Sequence, residues 1–484
     1  MVGANSVFVY TRGWFQKKSK HFIYHFKNKG ESPANQLLER MDRFYEKIGG
    51  FLRVEYRDKI DYYKCVSADE VGSLFSMPPS LARSQVINGA VASVQNFVPH
   101  EIVHVISYRL LPQDESRIPP TMLDEGLSYY LGGASFFSTD LLLSWASKKL
   151  QEDKNVLLDT LWVNPGTYGS NESAGLEASF VKFLIETKGM NKFKELYTDG
   201  ETPREPDQVL EKIYGGNIQQ LQNEWKGYVV SLELPRVKTD SLNDARVLFH
   251  ISDPAGDDKG NGYYTYPLNP RAKPGIFDLT DVRISSDSDW VYFHLQFSDL
   301  SHLEITSDTS FNGTFAAIIM DTDHRKNSGC TQLFFGNGNF EFSEKDAYEL
   351  AIEVSNAGVL VYDQNWVWQL LFLKADSPND HISRNAFSFA IPQKIIGRPD
   401  SSWKIQVLTG GETGGYRSTA FGVGSFMKVG QISVLNQGGG GTYLHFNPDI
   451  YDILTSQGMD QTKILGNYSE AKKKKTIIPM LRLK

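Results

Sequence analysis

The pattern of hydrophobic residues changes near residue 233, and this change most restricts how the chain can fold. Before it, apolar residues recur every three or four positions in several segments, which is typical of amphipathic helices. After it, short runs alternate between apolar and polar residues, and turn residues separate them. The sequence therefore predicts a multidomain protein in which an α+β domain is followed by an all-β sandwich domain.

The stretch between the two halves, LELPRVKTDSLNDAR, is polar and contains a proline, as expected for a linker. We place the first domain at residues 1–235 and the second at residues 243–484. The length of 484 residues agrees with this division, because it exceeds the size of one ordinary domain.

In the first half, three alternating segments predict strands, and the last of them contains a glycine kink: 20–27, 59–66 and 85–94. Five segments with helical spacing predict helices: 33–50, 97–111, 121–131, 176–188 and 205–232. In the second half, strands are predicted at VLFHI, WVYFHLQF, TFAAIIM, LAIEV, WVWQLLFL and KIQVL. Helical spacing returns there only at about 449–456.

The charge balance and hydropathy exclude two classes of protein. The net charge is −7 and the pI is about 5.9, so no nucleic-acid partner is expected. Since no run of about 18 apolar residues is present, no transmembrane segment is expected. The start of the chain lacks a basic segment and a long apolar run, so it shows no intact secretory signal.

The sequence His100-Glu101-Ile102-Val103-His104 fits the pattern H-E-x-x-H. On a helix, the two histidines lie one turn apart on the same face, where both imidazoles can bind one Zn²⁺ ion. The glutamate between them points to the same open side and suits the role of general base. A catalytic zinc also needs a third protein ligand and an open position for water.

Four acidic residues downstream are candidates for the third ligand: Asp114, Glu115, Asp124 and Glu125. The proline-rich stretch 112–120 is long enough to reverse the chain, so the helix at 121–131 can present Glu125 to the histidines. A metzincin would instead need a third histidine at position 110, which is a leucine. Asp124 is expected either to orient a ligand histidine or to act as an acid in the first turn of its helix.

The run HEIVHVI, followed by P-x-M-L-D-E-G-L-S-Y-Y-L, resembles the gluzincin or peptidase MA-like pattern over residues 18–230. This resemblance implies a zincin-like fold and a zinc metallopeptidase with His100, His104 and Glu125 as ligands and Glu101 as catalytic base. It also implies that the strand at 85–94 is the edge strand that binds peptide substrates.

The resemblance further implies a tyrosine that steadies the oxyanion, but the matching position is Ala174. Tyr168, six residues earlier, is the candidate to replace it, although it is also compatible with an ordinary packed tyrosine.

Three acids cluster in a turn-rich stretch of the second half: Asp253, Asp257 and Asp258. Carboxylates together with loop carbonyls suit Ca²⁺, so a calcium site is a second prediction. The alternative is an Asp/Gly turn that binds no metal.

The pattern DP-x-GDD-x-G-x-G-x-Y-x-YP, followed by G-x-FDLT, resembles the C-terminal domain of glucodextranase, a DOMON-like β-sandwich. The segments IMDTD and NPDIYD agree, so the resemblance covers nearly all of 245–484. It implies a secreted or cell-surface protein with a carbohydrate or cell-surface ligand. Trp366 and Trp368 could stack on a sugar, although burial in the core is the favoured interpretation.

The leading hypothesis is a zinc peptidase that acts on protein or peptide substrates and carries a C-terminal binding domain. Endopeptidase activity is favoured over aminopeptidase activity, because no GxMEN-like motif occurs near residue 90. The alternative is a catalytically impaired, peptidase-like binding protein, which Ala174 favours. A carbohydrate-active enzyme ranks last, since no catalytic domain with paired carboxylates is recognisable.

Overall fold

The computed structural model describes residues 7–482 apart from 8–9, 30–31, 34, 55–57, 112–118, 135, 199–205, 238–244, 268–272, 301–312, 327, 334–336, 356–357, 374–384, 414–424 and 430–445. The chain divides into two compact units, Met1–Leu234 and Pro235–Lys484. None of the described helices is long and apolar enough to cross a bilayer.

The first unit contains a five-stranded mixed sheet. Its strands are β1 (Phe15–Lys18), β2 (Phe22–Phe26), β3 (Ile60–Lys64), β4 (Ala82–Gln85) and β5 (Ala90–Ser93). They lie in the order β1-β2-β3-β5-β4. Strands β2, β3 and β5 are parallel, and the two edge strands β1 and β4 run antiparallel to their neighbours.

Helices make up most of the rest of the first unit. They are α1 (Asn35–Leu52), α2 (Ala68–Phe75), α3 (Pro99–Ser107), α4 (Thr121–Gly132), α5 (Thr139–Glu152), α6 (Leu158–Val163), α7 (Ser170–Phe183), α8 (Met190–Thr198), α9 (Pro206–Tyr214) and α10 (Ile218–Val230). Helix α7 begins earlier than the predicted 176–188, and α9 and α10 are two helices where one was predicted at 205–232.

The prediction of one kinked strand at 85–94 is wrong. The chain instead forms a hairpin, because Gly89 has a φ of +64° and closes a tight turn between β4 and β5. Strand β5 is therefore an interior strand, and β4 is the edge strand on this side of the sheet.

One hydrophobic core joins the sheet to the helices. Tyr24 and Tyr62 on adjacent strands stack with their ring centroids 5.1 Å apart, and both are buried. Ile102 and Val103 of α3 belong to the same core and are 0% exposed. Burial of these side chains fixes the orientation of α3, since an apolar side chain that becomes fully buried contributes about 1.5–3 kcal/mol.

The second unit is all-β, apart from the short helices α11 (Gln393–Ile396) and α12 (Gln461–Leu465) among its described residues. Its strands are β6 (Arg246–Ser252), β7 (Leu279–Ser286), β8 (Trp290–Phe297), β9 (Thr314–Asp321), β10 (Glu341–Phe342), β11 (Leu350–Ser355), β12 (Gly358–Asp363), β13 (Trp368–Leu373), β14 (Ala386–Pro392), β15 (Lys404–Thr413), β16 (Ser425–Phe426), β17 (Asp452–Ile453), β18 (Ile477–Ile478) and β19 (Leu481–Arg482).

These strands form two main sheets that share one core. The smaller sheet has the order β14-β8-β7-β6, and the larger has the order β13-β12-β11-β9-β15-β16, with β17 and β19 also paired to β15. Buried side chains from both sheets, such as Phe293 on β8 and Ile318 on β9, belong to a single cluster. The all-β architecture of the second half is therefore a sandwich, as predicted.

The prediction of helical structure at 449–456 is wrong. Ile453 pairs with Leu408 of β15, so this segment extends the larger sheet. The main-chain pairing offered by β15 outweighs the weak helical spacing of this short segment.

Trp368 is 1% exposed, which confirms that it is a core residue and excludes it as a sugar-stacking surface.

Gly126 sets how closely α4 approaches α7. A Cβ atom at Gly126 would lie 2.7 Å from the carbonyl oxygen of Glu177 and 2.8 Å from Val181 Cγ2. We expect Gly126→Ala to lower the free energy of unfolding by about 1–3 kcal/mol, because the two helices must move apart. Equilibrium urea unfolding measures this change.

Gly227 of α10 provides the control, because a Cβ atom there meets nothing within 4 Å. Gly227→Ala should raise the free energy of unfolding by about 0.5–1 kcal/mol, as expected for an exposed helix interior. If Gly126→Ala were as stable as Gly227→Ala, the close approach of α4 to α7 would be wrong.

Candidate metal centre

Helix α3 carries the two histidines of the H-E-x-x-H pattern. Pro99 occupies its first turn, where a missing N–H group costs little. His100 and His104 lie one turn apart and are each 7% exposed, while Glu101 between them is partly exposed. The apolar residues on the other side of the helix are buried, so both imidazoles are held at the inner edge of the site.

Helix α4 brings Glu125 to the histidines. The close packing of the two helices requires glycine at position 132, because a Cβ atom there would lie 2.7 Å from the main-chain nitrogen of His100. The loop predicted to reverse the chain lies largely outside the described residues, at 112–118.

Three ligand atoms converge in this arrangement. His104 Nε2 lies 3.1 Å from His100 Nε2. Glu125 Oε2 lies 3.3 Å from His100 Nε2 and 3.6 Å from His104 Nε2. The Glu125 side chain keeps 34% of its surface exposed, so the cluster is open to solvent on the carboxylate side.

Hydrogen bonds at the other ring nitrogens fix both imidazoles. His100 Nδ1 donates to the carbonyl oxygen of Gly133 at 2.9 Å. His104 Nδ1 donates to Asp124 Oδ2 at 3.0 Å. In the tautomer that carries the proton on Nδ1, each Nε2 atom is free to bind a metal ion, and the two Nε2 atoms face each other and Glu125. A proton or a metal ion between these atoms offsets the repulsion of their lone pairs.

Asp124 is held in turn by two hydroxyl groups. Ser107 Oγ donates to Asp124 Oδ1 at 3.4 Å, and the buried hydroxyl of Tyr197 donates to the same oxygen. Of the two roles considered for Asp124, the geometry favours orienting His104. Sequence reasoning missed Tyr197, which lies 73 residues further along the chain.

The electrostatics of the cluster favour positive charge, which a proton or a metal ion can carry. Burial alone would raise the pKa of Glu125, but the hydrogen bonds from His100 and His104 outweigh it and hold the pKa well below its usual value. Burial alone would lower the pKa of His104, but hydrogen bonds with Asp124 and Glu125 raise it well above the usual value. The carboxylate therefore stays ionised beside groups that attract positive charge.

Two further residues beside the cluster were not found from the sequence. The Tyr129 ring lies 4.7 Å from the His100 ring, and burial together with the charge of Glu125 raises the pKa of Tyr129 well above its usual value. Glu177 of α7 is buried, and burial together with the charge of Glu125 raises its pKa to about 9. Helical spacing from Glu125 places Tyr129 one turn away, and this signal could have identified it.

The structure gives Tyr168 other partners. Its hydroxyl accepts a hydrogen bond from the main-chain nitrogen of Leu157 at 2.8 Å. Tyr168 lies in a short 3₁₀ turn before α7, and Ala174 is 5% exposed within α7. The contacts of Tyr168 include Leu157 and Ser173, and its catalytic role stays a prediction.

The predicted calcium ligands are brought together in part. Asp253 and Asp257 form a group with Asp452, and their carboxylate oxygens lie within 4.8 Å of one another. Asp258 is buried but lies outside this group, so the structure replaces it with Asp452. A third group in the described residues comprises Asp321, Asp323 and Glu349.

Comparison with known proteins concerns the second unit. Residues 248–480 match the family of the C-terminal binding module, SLH-like, of glucodextranase. This match confirms the resemblance inferred from the sequence for that half. A search of curated proteins finds no match to this chain.

The hydrogen bond from His104 to Asp124 can be tested by Asp124→Asn, which keeps the shape of the side chain but loses its charge. For the zinc site that the sequence predicts, we expect the affinity for Zn²⁺ to fall about 10- to 100-fold, because the imidazole is less firmly oriented and less basic. Competition with a chromophoric chelator measures this affinity. Asp140→Asn, at an exposed acid of α5, is the control and should bind Zn²⁺ as the unaltered chain does. Equal affinities for the two variants would contradict this role of Asp124.

Proposed function

We propose that the first unit is a zinc-dependent peptidase with a zincin-like fold of the gluzincin kind. We also propose that the second unit binds a carbohydrate or a cell-surface ligand outside the cell. The observation that carries the first proposal is the convergence of His100, His104 and Glu125 from two helices.

The donor set and its spacing support zinc. Two ligands held 2.0–2.1 Å from a tetrahedral zinc are about 3.3 Å apart. The distances among the three ligand atoms are 3.1, 3.3 and 3.6 Å. Two imidazoles and one carboxylate are a usual set for a catalytic zinc, and the exposed side of Glu125 leaves room for a fourth ligand.

A Zn²⁺ ion bound there would supply Lewis-acid polarisation of a carbonyl group and lower the pKa of a water molecule towards 7. Glu101 would take the proton of the attacking water and pass it to the leaving amine. Asp124 would keep His104 in the tautomer that binds metal. The Tyr129 ring would help to hold the His100 imidazole in place, since the two ring centroids lie 4.7 Å apart.

The edge strand β4 supports a peptide as the substrate. It is the outermost strand of its sheet and contacts α3, which carries the histidines. An edge strand offers unpaired main-chain donors and acceptors on its open side, and an extended peptide can bind to them as an additional strand. We propose endopeptidase action rather than aminopeptidase action.

The test compares Glu101→Gln with the unaltered chain on an internally quenched peptide library with blocked amino termini. Loss of the general base should reduce kcat/KM at least about 100-fold. Zn²⁺ content should be unchanged in Glu101→Gln and lost in His104→Ala, which removes a ligand. Cleavage of only unblocked aminoacyl substrates would refute endopeptidase action.

A second candidate is a peptidase-like binding protein with impaired turnover. It is favoured by Ala174, which carries no hydroxyl group, and by the hydrogen bond that Tyr168 already makes to Leu157. The same experiment separates the two candidates. A chain that holds stoichiometric zinc but shows no Glu101-dependent cleavage would support the second candidate and contradict the first.

The binding proposal for the second unit is supported by its match to the glucodextranase module. Tyr263 is 83% exposed in this unit, and exposed aromatic rings can stack on sugars. We expect Tyr263→Ala to weaken binding to dextran or to a cell-wall polysaccharide about 5-fold or more, measured by affinity electrophoresis.

Val247→Ala is the matched control, because Val247 is 51% exposed and lies in the same unit. It should bind the polysaccharide as the unaltered chain does. If the unaltered chain binds neither dextran nor the cell-wall polysaccharide, the proposal that this unit binds these carbohydrates is wrong.

A further inference from the structure

The second unit holds a cluster of acidic residues that joins distant parts of its sequence. Asp253 directly follows β6, Asp257 lies in the turn after it, and Asp452 begins β17. Their carboxylate oxygens lie within 4.8 Å of one another. The cluster therefore connects the first described strand of this unit to a segment near its end.

Hydrogen bonds hold two of these carboxylates in fixed positions. Asp253 Oδ1 accepts from both the main-chain nitrogen and the hydroxyl of Thr455, each at 2.7 Å. Asp452 accepts from the main-chain nitrogens of Leu279 and Ile453, each at 2.8 Å. The cluster is therefore built by the fold and does not depend on flexible surface side chains.

Other oxygens of the cluster remain without a partner. Asp253 is 7% exposed, yet its Oδ2 atom is buried and has no hydrogen-bond partner among the described residues. Asp257 Oδ1 is also buried and has no hydrogen-bond partner among the described residues. A buried carboxylate oxygen that accepts no hydrogen bond costs free energy, so these atoms require a partner that the described side chains do not supply.

The charge of the cluster points to a cation. Burial, together with the negative charge of neighbouring aspartates, raises the pKa of Asp253 to about 7 and that of Asp257 to about 6. Burial also raises the pKa of Asp452 well above its usual value. Such mutual repulsion is relieved when the carboxylates share a metal ion.

We propose that Asp253, Asp257 and Asp452 bind one Ca²⁺ ion that ties the start of the second unit to its end. The three residues offer only oxygen atoms, which calcium prefers and which are poor ligands for Zn²⁺ or Cu²⁺ relative to imidazole and thiolate. Calcium also accepts irregular geometry with six to eight ligands, so water and turn carbonyls can complete its coordination.

The test uses the whole chain after removal of divalent ions. Saturating Ca²⁺ should raise the temperature of unfolding of the second unit by about 5 °C or more, because only the folded chain presents the complete site. Calorimetric titration should show one more bound Ca²⁺ in the unaltered chain than in Asp257→Asn. Any Ca²⁺ bound by Asp321, Asp323 and Glu349 is present in both proteins, so it cancels in this comparison.

Asp257→Asn is chosen because it should leave the fold intact. Gln461 donates a hydrogen bond to the main-chain carbonyl of Asp257, and the substitution does not change that carbonyl. Asp289→Asn, at an exposed acid of the same unit, is the control and should respond to Ca²⁺ as the unaltered chain does. The proposal is overturned if Ca²⁺ does not stabilise the unaltered chain, or if Asp257→Asn binds as many Ca²⁺ ions. The first of these results does not depend on how well the variant folds.

Discussion

The close packing of α4 on α3 is the contact on which the account of the first unit depends. Gly132 lets the two helices approach until Glu125 lies within 3.6 Å of both imidazoles. The carbonyl oxygen of Gly133 then accepts a hydrogen bond from His100 Nδ1. A bulkier residue at position 132 would separate the carboxylate from the imidazoles and remove the reason for a cation to bind.

Part of this site could be predicted from the sequence because helices have a fixed period. The spacing of His100 and His104 placed them on one face, and the acidic pair at 124–125 supplied both the carboxylate of the cluster and the partner of His104. Tyr197 could not be predicted in the same way, because its contact with Asp124 depends on how α8 packs against the rest of the unit. Glu177 could not be predicted for the same reason, because its burial depends on how the core packs.

The limits of sequence patterns are also clear in the strands. Alternation located six strands of the sandwich but missed others, among them β7, β12 and β14. It also could not decide whether 85–94 is one strand or a hairpin, because the turn depends on the φ angle of Gly89. In the second unit, sequence proximity favoured Asp258 as a partner of Asp253 and Asp257. The fold instead brings in Asp452, which is distant in sequence but adjacent after β17 pairs with β15.

Each unit thus contains a group of side chains that can share a cation, but the donors differ. The first unit offers nitrogen and oxygen at an open site, which suits catalysis, whereas the second offers oxygen alone in a largely buried site, which suits structure. X-ray absorption at the zinc edge of the purified chain tests the central claim most directly. The account predicts about one zinc per chain, with nitrogen and oxygen ligands at about 2.0–2.1 Å. The spectrum should show scattering from two imidazoles, and this two-imidazole signal should be absent in His104→Ala. A chain without zinc, or zinc with sulfur ligands at about 2.3 Å that persists in His104→Ala, would contradict it.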